Sequence, residues 1–514
     1  MTIQTYIVSG NLYLCLAKHI MTDTSPNYYR WTLWLIAGLL VFRLCGLFLS
    51  PLGLHGDEAQ YWDWSKNLDW GYFTKPPMIA WVIAATTGVF GDAEWAVRLS
   101  SPILHSFTAY FIFCTARLAY DARTGFWAAL LYITMPGLWL SSGIVSTDVP
   151  LLLCWVLAMN AWLHLREQAT WGRAAQLGIA FGLGMMSKYA MLFFLPALGI
   201  AFLFDPATRK GLNTLKGYSA GLLALVIITP NIVWNLNNDF ATLTHTAANA
   251  NIESGIPFHP GELLTFWADQ LVVFGPVTIV LMVLALKAAL QRRLLPPSIW
   301  IAAFALSPLL IISIEALLSR ANANWAVTAY IGASILTAHY GLHFWPRLKT
   351  WMKGGMGLNA VMGTALAILV IFPALTDALG LANSFKRLRA WPKTVNVIES
   401  RIAAGHDGQA FSVVATDKRI VFYDLKYYGL DQTLPLKMWM YTAAPENHAE
   451  LTYPLLAQEG PVLVINYYDN YVDEMQADFE RLVTLEPLDI DLGGGKRRKL
   501  ALWAGYGYAP TNTR

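Results

Sequence analysis

The sequence predicts an all-α polytopic membrane bundle followed by a C-terminal α/β domain on the outer side of the membrane. Three observations predict it. Of 514 residues, 56% are hydrophobic and only 13% charged, about half the ~25% charged share of a soluble domain. Apolar stretches recur between residues 31 and 378 at lengths near the ~20 residues that a bilayer crossing needs. Beyond residue 379 the pattern changes to short apolar runs between amphipathic segments. The net charge of +3 carries no electrostatic footprint for nucleic acid, so no nucleic-acid partner is expected.

Residues 1–30 form a mixed N-terminal tail. A basic region before an apolar core is missing, so the tail does not read as a cleavable signal peptide. Met21, opening "MTDTSPNYYRW", reads as a more natural start than Met1. Cys15, Cys45, Cys114 and Cys154 form no CxxC pair, which argues against a disulfide framework or a zinc site.

Eleven candidate spans cover residues 31–50, 99–118, 125–142, 149–166, 174–187, 189–204, 216–236, 264–286, 297–318, 324–342 and 355–378. Basic residues orient them. With the N-terminus cytoplasmic, the inner loops hold Arg117, Arg123, Arg166, Arg173, Arg209, Lys210, Lys216, Lys287, Arg292, Arg293, Arg347, Lys349 and Lys353. The outer loops hold only Lys66, Lys75, Arg98, Lys188 and Arg320. This bias places the C-terminus outside. The apolar segment 76–91 offers only ~14 helical residues, or ~21 Å at 1.5 Å per residue. It therefore reads as an interfacial or re-entrant helix, and 51–98 as one long outer loop with helices at the membrane surface.

The membrane domain thus runs over 31–378 and the outer α/β domain over 379–514. In the latter, "AFSVVATDKRIVFYDLKYYG" and "GPVLVINYYDN" read as strand-like, while "NHAELTYPLLAQ" and "DEMQADFERLV" read as helical. "GGGKRRKLALWAGYGY" reads as a turn and a final strand, its basic cluster a solvated loop.

Sorted by side, the chemistry-bearing residues gather on the outer face. Asp57 and Glu58 follow the first span. Arg98 opens the second. Asp148 in "SSGIVSTDVP" and Lys188 in "MMSKYA" lie at outer junctions. So do "SRANANW" (319–325) and the loop 237–263 with Asp239, His245, Glu253, His259 and Glu262. Ionisable groups at membrane depth are costly and usually functional. A carboxylate within reach of a hydroxyl takes its proton. Lysine and arginine hold a phosphate and stabilise it as it leaves. This mix suits glycosyl transfer from a lipid phosphate. Plainer readings stand beside it: a solvated carboxylate for Asp57, a helix N-cap for Asp148, and a snorkelling side chain for Lys188. Trp62, Trp64 and Trp70 read as interface anchors, and Tyr72, near Lys75, as a face for a sugar or lipid chain. His245 and His259 lack metal-ligand spacing, and no metal or other cofactor is expected.

In order along the chain, "HGDEAQYW", "YFTKPP", "WAVRLSS", "STDVP" and "SKYAMLF" resemble the bacterial family of polyprenyl-phosphate-sugar glycosyltransferases. That family holds the aminoarabinose transferases of lipid A and the galacturonosyltransferases of lipopolysaccharide core, with protein O-mannosyltransferases as distant relatives. The likeness runs through most of 31–340, and "RANANW" and "RLRAW … FSVVATDKR … YY" extend it. It implies a GT-C fold of about 11–13 transmembrane helices in the bacterial inner membrane, with a catalytic first outer loop facing the periplasm. It implies a polyprenyl-phosphate-sugar donor, a lipid or glycolipid acceptor, and inversion at the sugar. Carried over by position, Asp57, Glu58 and Asp148 are the catalytic acidic residues. Lys75, Tyr72, Arg98 and Lys188 are the donor-phosphate set.

Thr74 departs from the pattern, because aminoarabinose transferases tend to carry Glu immediately before that lysine. The departure leans away from aminoarabinose and leaves the sugar open. A protein O-glycosyltransferase using the same donors, and a transporter or flippase, are the alternative readings. Against the latter, neither inverted repeats nor interrupted mid-membrane helices are evident in the sequence.

Overall fold

The computed structural model describes residues 27–244, 258–467 and 471–510. The expectations for Met21, Cys15, His245 and Glu253 lie outside these residues.

Polar residues start the helices and apolar runs extend them. Asn27 caps the first helix, Tyr28–Leu49, by accepting from the Arg30 amide. Asp121, Thr170, Asp205 and Thr214 cap later helices in the same way. Among the described residues, five single helices are long and apolar enough to cross a membrane: Tyr28–Leu49, Asp148–Glu167, Leu215–Asn237, Pro297–Leu318 and Pro346–Ile371. Two bent pairs raise the number to as many as seven. The other expected spans are helical but shorter or more polar, as in Ser100–Ala119, Trp171–Ser187 and Ala329–His343. Large apolar side chains such as Trp34, Leu222 and Val361 are exposed on the spans, as lipid contact requires. The chain is a multi-pass membrane protein.

Several expected spans are not continuous; 355–378, for one, ends its long helix at Ile371 and starts a short one at Pro373. The stretch 264–286 divides into Pro260–Val273 and Pro276–Leu290, bent by 110°. Gly275 sits at the bend with φ 98°, and a Cβ there would fall 1.9 Å from Asn359 Oδ1, so only glycine fits. The stretch 125–142 breaks between Ala122–Thr134 and Pro136–Ser142, where Pro136 starts a new helix.

The loop after the first span holds three helices, Gly56–Lys66, Met78–Phe90 and Glu94–Arg98. The C-terminal region forms a five-stranded mixed sheet of order β2-β1-β3-β5-β4. Its strands are β1 Val413–Thr416, β2 Leu436–Met438, β3 Val462–Asn466, β4 Phe479–Gly493 and β5 Lys496–Tyr508. β1 runs parallel to β2 and β3, and β5 pairs antiparallel with β3 and β4.

Three local expectations change here. The strand-like stretch after Phe411 is a strand only to Thr416, then the amphipathic helix Arg419–Tyr427. "DEMQADFERLV" is helical to Ala477 and enters β4 at Phe479. The terminal basic cluster lies in β5, not in a loop. Arg498 there is buried 3.5 Å above the Trp391 ring and donates to Thr394 Oγ1 and the Arg389 carbonyl.

This first loop and the sheet domain share one hydrophobic core. Leu54, Ala59, Trp64 and Tyr72 from the loop pack in one cluster with Val414, Phe422 and Leu463. Gly56 sits so close to the helix Arg419–Tyr427 that a Cβ would lie 2.3 Å from Ile420. The sheet domain thus forms a wall of whatever site the loop builds.

Candidate active site

The helix Gly56–Lys66 begins with a capping box. His55 Nδ1 accepts from the Asp57 amide, and Glu58 Oε2 accepts from the His55 amide at 2.9 Å. The box sets two carboxylates in the first turn, where the helix dipole favours negative charge. Consecutive helical residues point in different directions, so the two have different surroundings.

Glu58 is buried. It takes Arg98 Nε at 2.9 Å on one oxygen and Arg98 Nη2 at 2.6 Å on the other, and the Val145 amide at 2.9 Å. Arg98 also donates to the carbonyls of Leu52 and Gly53 at 3.1 and 2.7 Å. This fork ties the start of the loop to its end and to the segment before Asp148. Both groups are consumed by it. Glu58 reaches the wall of the cavity described below with no oxygen free, and Arg98 does not line the cavity.

Tyr72 differs from its expected role for a similar reason. It is buried and stacked on Trp64, with ring centroids 4.4 Å apart and planes 2° from parallel. Its hydroxyl lies 2.9 and 3.0 Å from the carbonyls of Trp64 and Asn67 and accepts from the Asp69 amide. No ring face is left for a sugar. Trp64 is likewise a core residue and not an interface anchor, whereas Trp70 is half exposed. Tyr72 and Lys75 exchange backbone hydrogen bonds at 3.0 and 3.3 Å, so the tyrosine anchors the turn that presents the lysine. The helix Leu215–Asn237 clamps that turn: Trp234 Nε1 donates to Asp69 Oδ2, and Asn231 Nδ2 to the Trp70 carbonyl, each at 2.7 Å.

Asp57, Lys75, Asp148 and Lys188 line one cavity of about 1290 Å³ between the helix ends and the sheet domain. Lys188 Nζ lies 2.6 Å from Asp148 Oδ1, and Asn324 Nδ2 donates to Asp148 Oδ2 at 2.6 Å. Asp148 is the first residue of its helix but not the cap, which is Thr147. Arg419, from the sheet domain, pairs with Asp57 Oδ1 at 3.1 Å and bonds Gln60 Oε1.

Lys75 differs from these paired groups. Among the described residues its ammonium makes no hydrogen bond or ion pair. Burial, and then the nearby charge of Lys188, push its pKa down to about 8. A half-buried cation without a partner among the described residues has the chemistry to meet an anion.

Lys386, Arg387, Arg419, Asn324 and Glu315 also line the cavity, and none was singled out from sequence. "RLRAW", "FSVVATDKR" and "RANANW" had marked their neighbourhoods without assigning a task. Among the described residues, no three His, Cys, Asp or Glu side chains gather as a metal would need.

Residues 74–234 match the family described as dolichyl-phosphate-mannose-protein mannosyltransferase. The lipid A galacturonosyltransferase RgtD of Rhizobium johnstonii is 33% identical over 440 residues, covering 84% of this chain and 90% of the relative. An undecaprenyl phosphate-alpha-4-amino-4-deoxy-L-arabinose arabinosyl transferase of Pseudomonas fluorescens is 35% identical over 240 residues, covering 42% of this chain and 39% of its own. Among solved structures, ArnT from Cupriavidus metallidurans in the apo state aligns with a TM-score of 0.63 at 15% identity, covering 93% of this chain and 98% of that one. The same enzyme bound to undecaprenyl phosphate gives 0.62. These structures establish a common GT-C fold, and the sequence relationship establishes more: the chain belongs to the family of membrane glycosyltransferases that includes the Rhizobium lipid A enzyme.

Proposed function

We propose that the protein transfers a sugar from a polyprenyl-phosphate donor to a lipid A or related envelope glycolipid, on the periplasmic side of the inner membrane and with inversion. The observation that carries the reading is the unpaired Lys75 in the cavity that also holds Asp57. Lys75 meets the donor phosphate. The acceptor hydroxyl gives its proton to Asp57 as its oxygen attacks the anomeric carbon. The anomeric carbon–oxygen bond breaks, and its electron pair leaves with polyprenyl phosphate, whose charge the ammonium balances. Asp57 Oδ1 faces Arg419, while Oδ2 accepts no hydrogen bond among the described residues and has His55 Nδ1 3.6 Å away, so it is the oxygen proposed to receive the proton. Asp148 holds Lys188 beside Lys75, which makes it a positioning group.

The proposed sugar is a hexuronic acid. Support comes from the likeness to the galacturonosyltransferase along most of the chain, and from Thr74 in place of Glu before Lys75. The match of 74–234 to the protein-mannosyltransferase family keeps a protein hydroxyl as the second reading of the acceptor. Mass spectrometry of lipid A, core and envelope glycoproteins from a deletion strain separates the two by which fraction loses a glycosyl mass. With purified protein, Asp57→Asn should lower transfer by about 10²–10⁴-fold. Wild-type turnover by a folded Asp57→Asn protein would refute the assignment of the base.

A further inference from the structure

The juxtamembrane linker is the part of the cavity wall that the reaction above leaves unused. After the span Pro346–Ile371 come Phe372, Leu375, Leu379 and Leu381, all exposed. The chain then turns polar, and Asn383, Ser384, Lys386, Arg387 and Leu388 all line the cavity. A segment with apolar residues outside and cations inside suits the rim where an amphiphile enters from the bilayer.

The linker is also rigid. Both Nη atoms of Arg389 are engaged, with Asp377 Oδ1 at 2.7 Å, Thr376 Oγ1 at 2.6 Å and two carbonyls. The Gly53 amide donates to the Leu388 carbonyl at 3.0 Å, and Trp391 Nε1 to the Arg387 carbonyl at 2.8 Å. Against this fixed backbone, Lys386 and Arg387 make no side-chain hydrogen bond or ion pair among the described residues. The two arginines of "RLR" are therefore unlike: one locks the linker and the other is left free.

We infer that Lys386 and Arg387 form a second anion subsite, apart from Lys75, that takes the phosphate of the lipid acceptor's headgroup; the choice of acceptor rests on the glycosyltransferase reading above. Arginine with a neighbouring lysine suits a tetrahedral phosphate, and Asn383 and Ser384 add neutral donors on the same wall. Lys75 and Lys188 hold the donor phosphate at the membrane helices, so the two anions meet separate cation sets with Asp57 on the same cavity wall.

The test is equilibrium binding to the full-length protein in phosphatidylcholine nanodiscs, using phosphorylated lipid A against its phosphatase-treated form. Wild type should prefer the phosphorylated lipid by about tenfold or more, the range for a charge-assisted pair. Lys386→Ala with Arg387→Ala should remove the preference. The swap Lys386→Arg with Arg387→Lys should keep it, which sets charge apart from folding. Lys75→Ala should keep it too, while weakening binding of free undecaprenyl phosphate. The inference is overturned if the preference survives the double alanine variant, or vanishes in Lys75→Ala. It is also overturned if an equal concentration of phosphatidylglycerol erases the preference, since the pair would then be a bilayer anchor, or if wild type prefers a donor with a charged sugar through this pair instead. Unchanged undecaprenyl phosphate binding by Lys75→Ala would instead refute the donor site and leave the second subsite standing.

Discussion

Arg419 Nη1 lies 3.1 Å from Asp57 Oδ1, although 362 residues separate the two in sequence. The helix Arg419–Tyr427 packs on the helix that carries Asp57, and Lys426 reinforces the contact through an ion pair with buried Asp63 at 2.7 Å. Arg419 therefore fixes the orientation of the proposed base from the other domain. Both partners are partly exposed, so the pair contributes only about 1 kcal/mol or less to stability. Arg419→Ala should lower kcat by about tenfold with little change in donor KM, and Arg419→Lys should recover part of it. Steady-state kinetics beside a thermal melt checks this. A large fall in melting temperature at unchanged kcat would make the residue a domain fastener.

Lys75 gives the site a pH dependence of definite sign. Its folded pKa of about 8 lies below the ordinary 10.5. In the donor-free protein the unfolded chain binds more protons between these values, so this group makes stability rise with pH across that window. Donor binding runs the other way. The phosphate needs the ammonium, so donor KM should be flat below pH 8 and climb above it, by up to about tenfold per unit. Lys75→Arg, charged throughout, should remove the climb. Donor KM measured from pH 6.5 to 9.5 decides it, and an unchanged rise in the arginine variant would assign the titration elsewhere.

Glu58 and Arg98 should behave as structural partners. Their side chains are 3% and 5% exposed, and removing one leaves a buried charge with no counter-ion. Glu58→Gln or Arg98→Ala should cost about 3–5 kcal/mol. An apolar pair of similar volume, Glu58→Leu with Arg98→Met, should recover much of that loss. Chemical unfolding in detergent measures both. An Arg98→Ala protein that keeps its stability but loses donor affinity would restore a direct phosphate contact.

That these residues gather at one end of the helices was legible in the sequence, and partnering was not. Asp57, Lys75, Asp148 and Lys188 reach one cavity because each follows or precedes an apolar helix at the same end of the bundle, which hydropathy reveals. Glu58 and Arg98 carry equally strong motif signals, but their charges cancel across 40 positions, a distance that no local pattern reports. In isolation Trp64 looks like an interface aromatic and Tyr72 like a face for a sugar or lipid chain, whereas the two stack on each other in a core shared with the sheet domain. The missed cations, Lys386, Arg387 and Arg419, belong to segments whose closeness to the first loop is purely tertiary. The bend at Gly275 was hidden because an apolar run does not disclose direction, and only the positive φ and Asn359 do.

Tyr72 supplies the sharpest contrast between scaffold and substrate contact. Its hydroxyl bonds Trp64, Asn67 and Asp69 around the turn that carries Lys75. Tyr72→Phe leaves the stack but strips the buried polar groups of their partner, which costs about 1–3 kcal/mol. The turn should loosen, so donor KM should rise modestly while preference among donor sugars stays unchanged. Tyr72→Ala should also break the stack and lower stability by about 3–5 kcal/mol. A sugar-stacking tyrosine would give the reverse result: a Phe variant of wild-type stability, and an Ala variant with altered sugar preference. Competition between two donors that share a lipid but differ in sugar, run beside a melting curve, distinguishes the cases. A shift in that competition with no change in melting would return Tyr72 to the donor site.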